Sequence, residues 1–266
     1  MAIKSLDLRG APLMRMLYDN AADRATITLP STAPGLGAAY LQTDVRSEVC
    51  RVQSGSATIT AAWAAAETID TVVLPAVPLS AAATVRARLY DTANVVLADT
   101  GVLQAHPGGR TARPVDVALY LPASVSARRL VINLVDAGRT WLDLPRLIAG
   151  VAHHLHYAPG YGAGPVIEDT GSHQRSAAGD LRTELGTLSR TLPFDLEWVH
   201  EDDHGLVLDI LECGIGRSMW IDLVDEPGFS PSERAAMRIY GRQDKGGALP
   251  MIAPRLHQTR FSFLGW

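Results

Sequence analysis

The sequence predicts a mainly β protein. An antiparallel sandwich of jelly-roll type is expected over residues 1–150, and a smaller β-rich domain with one or two short helices over residues 151–266. Three observations predict this. Between residues 25 and 151, short segments alternate apolar and polar residues with turn residues between them, and no helical period competes. Near residue 206 one short helical period interrupts two further alternating stretches. Finally, hydrophobic residues make up 47% and charged residues 20%, enough for a sizeable core and too apolar for disorder.

The first half is expected to form strands at 25–29, 56–63, 68–74, 84–90, 94–98, 115–121, 127–135 and 141–151. In 56–63, Ala57, Ile59, Ala61 and Trp63 share one face, so Trp63 is expected in the core. In 84–90, Val85, Ala87 and Leu89 oppose Arg86 and Arg88, which leaves Tyr90 out of phase and expected at the surface. In 127–135, Leu130, Ile132 and Leu134 share a face. Many short strands with regular turns indicate an antiparallel sandwich or jelly roll. Residues 157–165, rich in Gly, Pro and Tyr, read as the linker between domains. Residues 166–186 are polar with weak alternation, and the AAGD run suits a hairpin turn.

The second half is organised around residues 187–225. Leu192, Phe194, Leu196 and Trp198 fall on one face of a strand. The cluster from His200 to His204 ends it, and Leu206, Val207, Ile210 and Leu211 then recur at helical spacing. Asp202 or Asp203 is the expected N-cap and Gly214 or Gly216 the stop. Met219, Ile221 and Leu223 restart the period of two. Ser230-Pro231-Ser232-Glu233 has the form of a capping box with Pro at the first helical position, predicting a helix through Met237. Strands at 238–243 and 255–264 follow, the last with Phe261 and Phe263 on one face.

A net charge of −4 offers no footprint for nucleic acid. No apolar run is long enough to span a bilayer, and MAIKSLDLRG lacks the apolar centre of a signal peptide, so neither membrane insertion nor an export signal is expected. Two distant cysteines, Cys50 and Cys213, indicate no disulfide framework. His153, His154 and His156 are candidate metal ligands, but their spacing alone does not bring three donors together, and no metal or cofactor is expected. Glu201, Asp202 and Asp203 suit a helix start better than an acid/base pair. Asp169, Ser172 and His173 are close in sequence, which is no evidence for a triad. No nucleophile elbow and no phosphate loop is present, so no enzyme is expected. Trp63, Tyr90, Tyr120 and Trp141 lie on or beside the sandwich strands; loop aromatics could stack on a sugar, and core aromatics are the commoner case.

Two resemblances follow from particular segments. LYDNAADRATIT, AAYLQTDVRSEVCRV, SATITAAWAAAETIDTVVL, TVRARLYD, ARRLVINLVDA and LPRLIAG, over about residues 15–150, look like a discoidin-type, carbohydrate-binding-module-like jelly roll. Where that family often carries a Trp the chain has Cys50, a departure that bears on sugar binding and not on the fold. LYDNA, HQRSAAGDLRTELGTLSRTLPFDLEW and IYGRQ resemble an uncharacterised family from the tail genes of long-tailed bacteriophages, and the strand–helix–strand unit is similar to tail-tube and distal-tail folds. This resemblance implies a structural virion protein of a tail tip or baseplate, assembled in the host cytoplasm. The second domain would join a ring or hub. The sandwich would face outward toward a neighbouring protein or a cell-surface glycan. The implied partners are tube, hub and fibre proteins and copies of the chain itself. The residues expected to serve assembly are Phe194, Trp198, Trp220, Phe261, Phe263 and Trp266. The rival reading is a stand-alone carbohydrate-binding module protein.

Overall fold

The computed structural model describes residues 14–106, 114–157, 159–160, 162–169, 171–184, 186, 188–224, 229–244, 246–253 and 256–266. Its strands in chain order are β1 (Arg15–Leu17), β2 (Thr26–Thr28), β3 (Cys50–Val52), β4 (Ser56–Val77), β5 (Thr84–Tyr90), β6 (Val96–Asp99), β7 (Leu103–Gln104), β8 (Val115–Val135), β9 (Leu142–Leu144) and β10 (Ile148–Gly150). There follow β11 (Val166–Asp169), β12 (Ser172–Arg175), β13 (Leu181–Glu184), β14 (Leu188–Val199), helix α1 (His204–Gly214), β15 (Ser218–Asp222), helix α2 (Pro231–Ala236), β16 (Arg238–Gln243), β17 (Met251–Ala253) and β18 (Leu256–Gly265). The chain is mainly β, as its alternation dictates.

The first sheet is antiparallel, ordered β10-β4-β8-β5-β6, with β2 on β4 and β7 on β5. β4 and β8 each run through what the alternation reads as two strands. Bulges between Ala62 and Glu67, Ile69 and Thr71, and Leu74 and Val77 absorb the phase changes without ending the ladder. The residues spanning the first bulge include exposed alanines, which lose little by leaving the core. The inner face meets the ribbon β3–β9 and the 3-10 turns Ala21–Arg24 and Ala38–Gln42 around one apolar core. Trp63 is in that core and donates its indole N–H to the Ala21 carbonyl at 2.8 Å. Tyr90, expected at the surface, is buried instead: the Arg129 guanidinium lies 4.3 Å above its ring and covers it.

The second sheet is ordered β1-β15-β16-β18-β14-β11, with β17 on β18. Leu192, Phe194, Leu196, Phe261 and Phe263 form its inner face, and α1 covers them with Val207, Ile210 and Leu211. Burying each Phe removes it from water at a gain of about 1.5–3 kcal/mol. α1 ends at Gly214, and Gly216 has φ +87 just beyond it, a left-handed conformation natural to glycine. The Ser230 capping box is present with both reciprocal bonds. The other expected cap differs. Asp203 occupies the N-cap position of α1 but makes no capping bond, because its carboxylate is engaged by His156.

The halves interlock. Residues 15–17, placed with the first half by sequence position, pair with β15 of the second sheet, Met16 opposite Ile221. Leu17, Val73, Ile148, Trp220 and Tyr240 make a shared apolar cluster between the sheets. Beside it, Arg146 reaches Asp23 at 2.8 Å and the Tyr240 hydroxyl at 3.2 Å, and Tyr240 also bonds Asp44. Two described residues of the expected linker are tied to the second sheet: Gly160 N–H donates to the Asp195 carbonyl at 2.8 Å, and Ala163 packs on its core.

Candidate functional site

One end of the sandwich carries an exposed aromatic on a rigid base. β3 and β9 pair with Arg51 directly opposite Asp143. Arg51 Nε donates to Asp143 Oδ1 at 2.6 Å and Nη2 to Oδ2 at 2.8 Å, a two-pronged pair that fixes both planes. Trp141 immediately precedes β9 and is 50% exposed. The Arg51 guanidinium lies 5.7 Å from its ring centroid. The result is a half-exposed indole with the Arg51 guanidinium over its ring and that guanidinium fixed by Asp143.

The loop that presents Trp141 is held from behind. Asp136 is fully buried; its carboxylate accepts from the Ser80 N–H at 2.7 Å, the Ser80 hydroxyl at 2.5 Å and Gly138 N–H at 3.3 Å. Burial pushes this carboxyl's pKa up, but the Ser80 and Gly138 bonds and nearby Arg139 outweigh it and leave it below the ordinary value. Asp136 N–H donates to the Gly55 carbonyl at 2.7 Å. Gly55 has no room for a side chain: a Cβ there would sit 2.4 Å from the Arg139 carbonyl oxygen and 2.6 Å from that of Asp136. An indole held this way offers a flat apolar surface of the kind that stacks on the C–H face of a pyranose, beside an Arg51–Asp143 pair whose groups are already bonded to each other.

A second cluster lies on the other half. Trp198 is 57% exposed and meets Tyr157 edge-on at 6.4 Å. Next to them the His156 and His200 rings stack at 4.3 Å. From the same β14–β11 side a long arm extends. The β11–β14 ladder ends at Asp169 opposite Leu188, and β12–β13 continue it from Ser172 opposite Glu184. Gly171 sits at the junction, where a Cβ would meet the Glu184 carbonyl oxygen at 2.5 Å. Both β11 and β13 are exposed along their whole length.

The residues singled out in the sequence separate. Phe194, Trp220, Phe261 and Phe263 are buried in the chain's own core, so the period that drew attention to them reflects folding within the chain. Trp266 is half-buried, edge-on to Tyr240 at 4.8 Å, and only Trp198 of the six is a large exposed apolar group. β18 lies between β16 and β14, so the aromatic end of the chain is an inner strand rather than a free edge. His153 stacks on Tyr18 and His154 Nδ1 meets the Met14 carbonyl at 3.0 Å, both away from His156. The Ser172 hydroxyl bonds Glu184 at 3.0 Å while Asp169 accepts from Gly171 N–H, so the sequence neighbours Asp169 and Ser172 face different partners. Both cysteines are free. What sequence reading missed was the Arg51–Asp143 pair, 92 residues apart, which only strand register reveals.

No family model matches the chain, and no curated protein matches it. The comparisons therefore lend the tail-gene resemblance no support. Solved structures similar to about half of the chain include carbohydrate-binding modules and, over 27% of its own chain, a Ruminococcus gnavus GH29 fucosidase. A Streptococcus pneumoniae fucose-binding module is 15% identical, covering 50% of this chain and 94% of that one at a TM-score of 0.39. A lectin-binding domain of lectinolysin complexed with Lewis b is 17% identical, covering 49% and 94% at 0.39. A Clostridium perfringens CBM32 module in complex with GalNAc-β-1,3-galactose is 10% identical, covering 49% and 97% at 0.40. At these identities and scores, function has to rest on the site itself.

Proposed function

We propose that this chain is a non-catalytic carbohydrate-binding protein that holds a saccharide on the exposed face of Trp141, beside the Arg51–Asp143 pair. The observation that carries this is the half-exposed indole on a loop braced by Asp136, Ser80 and Gly55. Exposing an indole forgoes hydrophobic gain, and bracing the loop beneath it preorganises a binding face. The solved modules named above bind fucose, Lewis b and GalNAc-β-1,3-galactose; that ligand class is what we assign to this surface. The test is a glycan array probed with the intact chain and with Trp141→Ala. Binding that falls at least tenfold in the variant supports the reading. Equal binding by both, or none by the intact chain, overturns it.

A second reading is favoured by the arm. A two-stranded hairpin without a core of its own is marginal in water. The β12–β13 arm carries Leu181 at the surface and continues the exposed Val166 and Ile167 of β11. Such an arm gains stability by docking on a neighbour, which fits a structural subunit of a phage tail tip or baseplate whose sandwich faces outward. Sedimentation velocity of the intact chain against one with residues 172–184 replaced by a short turn tests it. Concentration-dependent association lost with the arm supports the reading; a monomer in both cases counts against it.

A further inference from the structure

We propose that His156, His200 and Asp202 form a binding site for a divalent transition-metal ion of the zinc type. Among the described residues, these form the group of three whose ligand atoms all lie within 4.8 Å of one another. They come from two places that the fold joins: the segment before the arm, and the 3-10 turn Glu201–Asp203 with its N-cap His200, whose Nδ1 accepts from Asp202 N–H at 3.3 Å. Their donors are two imidazole nitrogens and one carboxylate oxygen, the set that zinc and its neighbours prefer over calcium or magnesium.

The support behind the donors is what separates this cluster from a chance surface group. His156 Nδ1 lies 2.8 Å from Oδ1 of buried Asp203, and His156 N–H donates to Oδ2 of the same carboxylate at 2.8 Å. This fixes the ring and directs its Nε2 outward with a lone pair, the carboxylate–histidine arrangement that orients metal ligands. It also accounts for an N-cap aspartate that caps nothing. His200 is set beside the ring of His156 at 4.3 Å and 23°. Asp202 Oδ2 is 3.4 Å from His200 Nδ1 and its side chain is 73% exposed, free to turn. Ligands about 2.0–2.2 Å from a tetrahedral ion stand roughly 3.3 Å apart. The widest donor pair thus has to close by up to about 1.5 Å, which rotation of Asp202 and a slight splay of the two rings provide. Three protein donors leave a fourth position to water. The bound ion would pin the segment at 156 to the start of α1, close to Trp198 and Tyr157.

The test uses the untagged full-length chain stripped with chelator and titrated calorimetrically with zinc chloride. One equivalent is expected to bind, and His156→Ala and His200→Ala are each expected to weaken binding at least tenfold. Asp203→Asn, which keeps the bulk but disturbs the ring's partner, should weaken it about 10–100-fold. His154→Ala is the control and should bind as the parent does. Circular dichroism confirms that each variant is folded. No binding by the parent overturns the proposal. So does zinc binding that survives loss of His156 and His200 but fails in His257→Ala, because that would place the ion at the His204–His257 ring pair, 4.1 Å apart, instead.

Discussion

Tyr120 of the sandwich donates its hydroxyl to Asp222 Oδ2 of the second sheet at 2.5 Å, joining β8 to β15 across 102 positions of sequence. The pair is embedded: Arg238 Nε reaches the same carboxylate oxygen at 2.7 Å, and the Trp220 indole N–H reaches the Tyr120 hydroxyl at 3.3 Å. Arg15 lies 4.1 Å over the Tyr120 ring. Burial pushes the pKa of both Tyr120 and Asp222 up, and the Asp222 charge pushes Tyr120 further, so the phenol keeps its proton and remains the donor. Together with the shared cluster of Leu17, Val73, Ile148, Trp220 and Tyr240, this bond locks the halves.

Tyr120→Phe removes that donor and leaves the Trp220 indole N–H without its acceptor. The expected cost is about 1–3 kcal/mol, or a melting temperature lower by roughly 3–10 °C. Asp222→Asn combined with Tyr120→Phe should cost clearly less than the two changes summed, because they share one network. Additive costs in thermal melts would show that the bond does not couple the halves.

Acid sensitivity should depend on Asp136. Its folded pKa lies below the ordinary carboxylate value, so it contributes stability that is fully present above about pH 4 and is lost as pH falls through the folded value. Asp136→Asn is expected to lower stability at neutral pH and to flatten the acid limb of a melting-temperature profile. A variant profile parallel to the parent's from neutral to acid would contradict this.

Gly55→Ala should disturb the Trp141 loop more than the fold. A methyl at that site meets two carbonyl oxygens of the loop at 2.4 and 2.6 Å, so the loop must move. A sound fold by circular dichroism with shifted tryptophan fluorescence and weakened glycan binding is expected. Unchanged emission and binding would mean that Gly55 does not brace the platform.

The two thiols should differ. Cys50 is buried and its pKa is pushed up to about 11, first by burial and then by the field of Asp143. Cys213 is partly exposed. At neutral pH in native buffer, a thiol reagent is expected to label Cys213 first and Cys50 only on unfolding. Peptide mass spectrometry after timed labelling reads the order, and prior labelling of Cys50 would refute it.

The sequence by itself determined the elements whose signals are local. The period of two in 84–90 and 188–199, the helical spacing from Leu206 to Leu211 and the capping box at Ser230 each depend on neighbours within a few residues, and each element is there. Strand identity at 56–77 was only half legible, because bulges hide continuity behind broken phase. Tertiary structure alone decided the rest. Register placed Arg51 against Asp143 and so set its guanidinium over Trp141. Pairing carried Arg15–Leu17 away from their sequence neighbours into the second sheet. Chain crossing took Asp203 from the helix it was expected to cap and gave it to His156, and brought His200 alongside. Periodicity records which face a residue turns inward, but not which distant backbone will lie opposite it. A site built from cross-strand partners therefore appears only when the sheets are assembled.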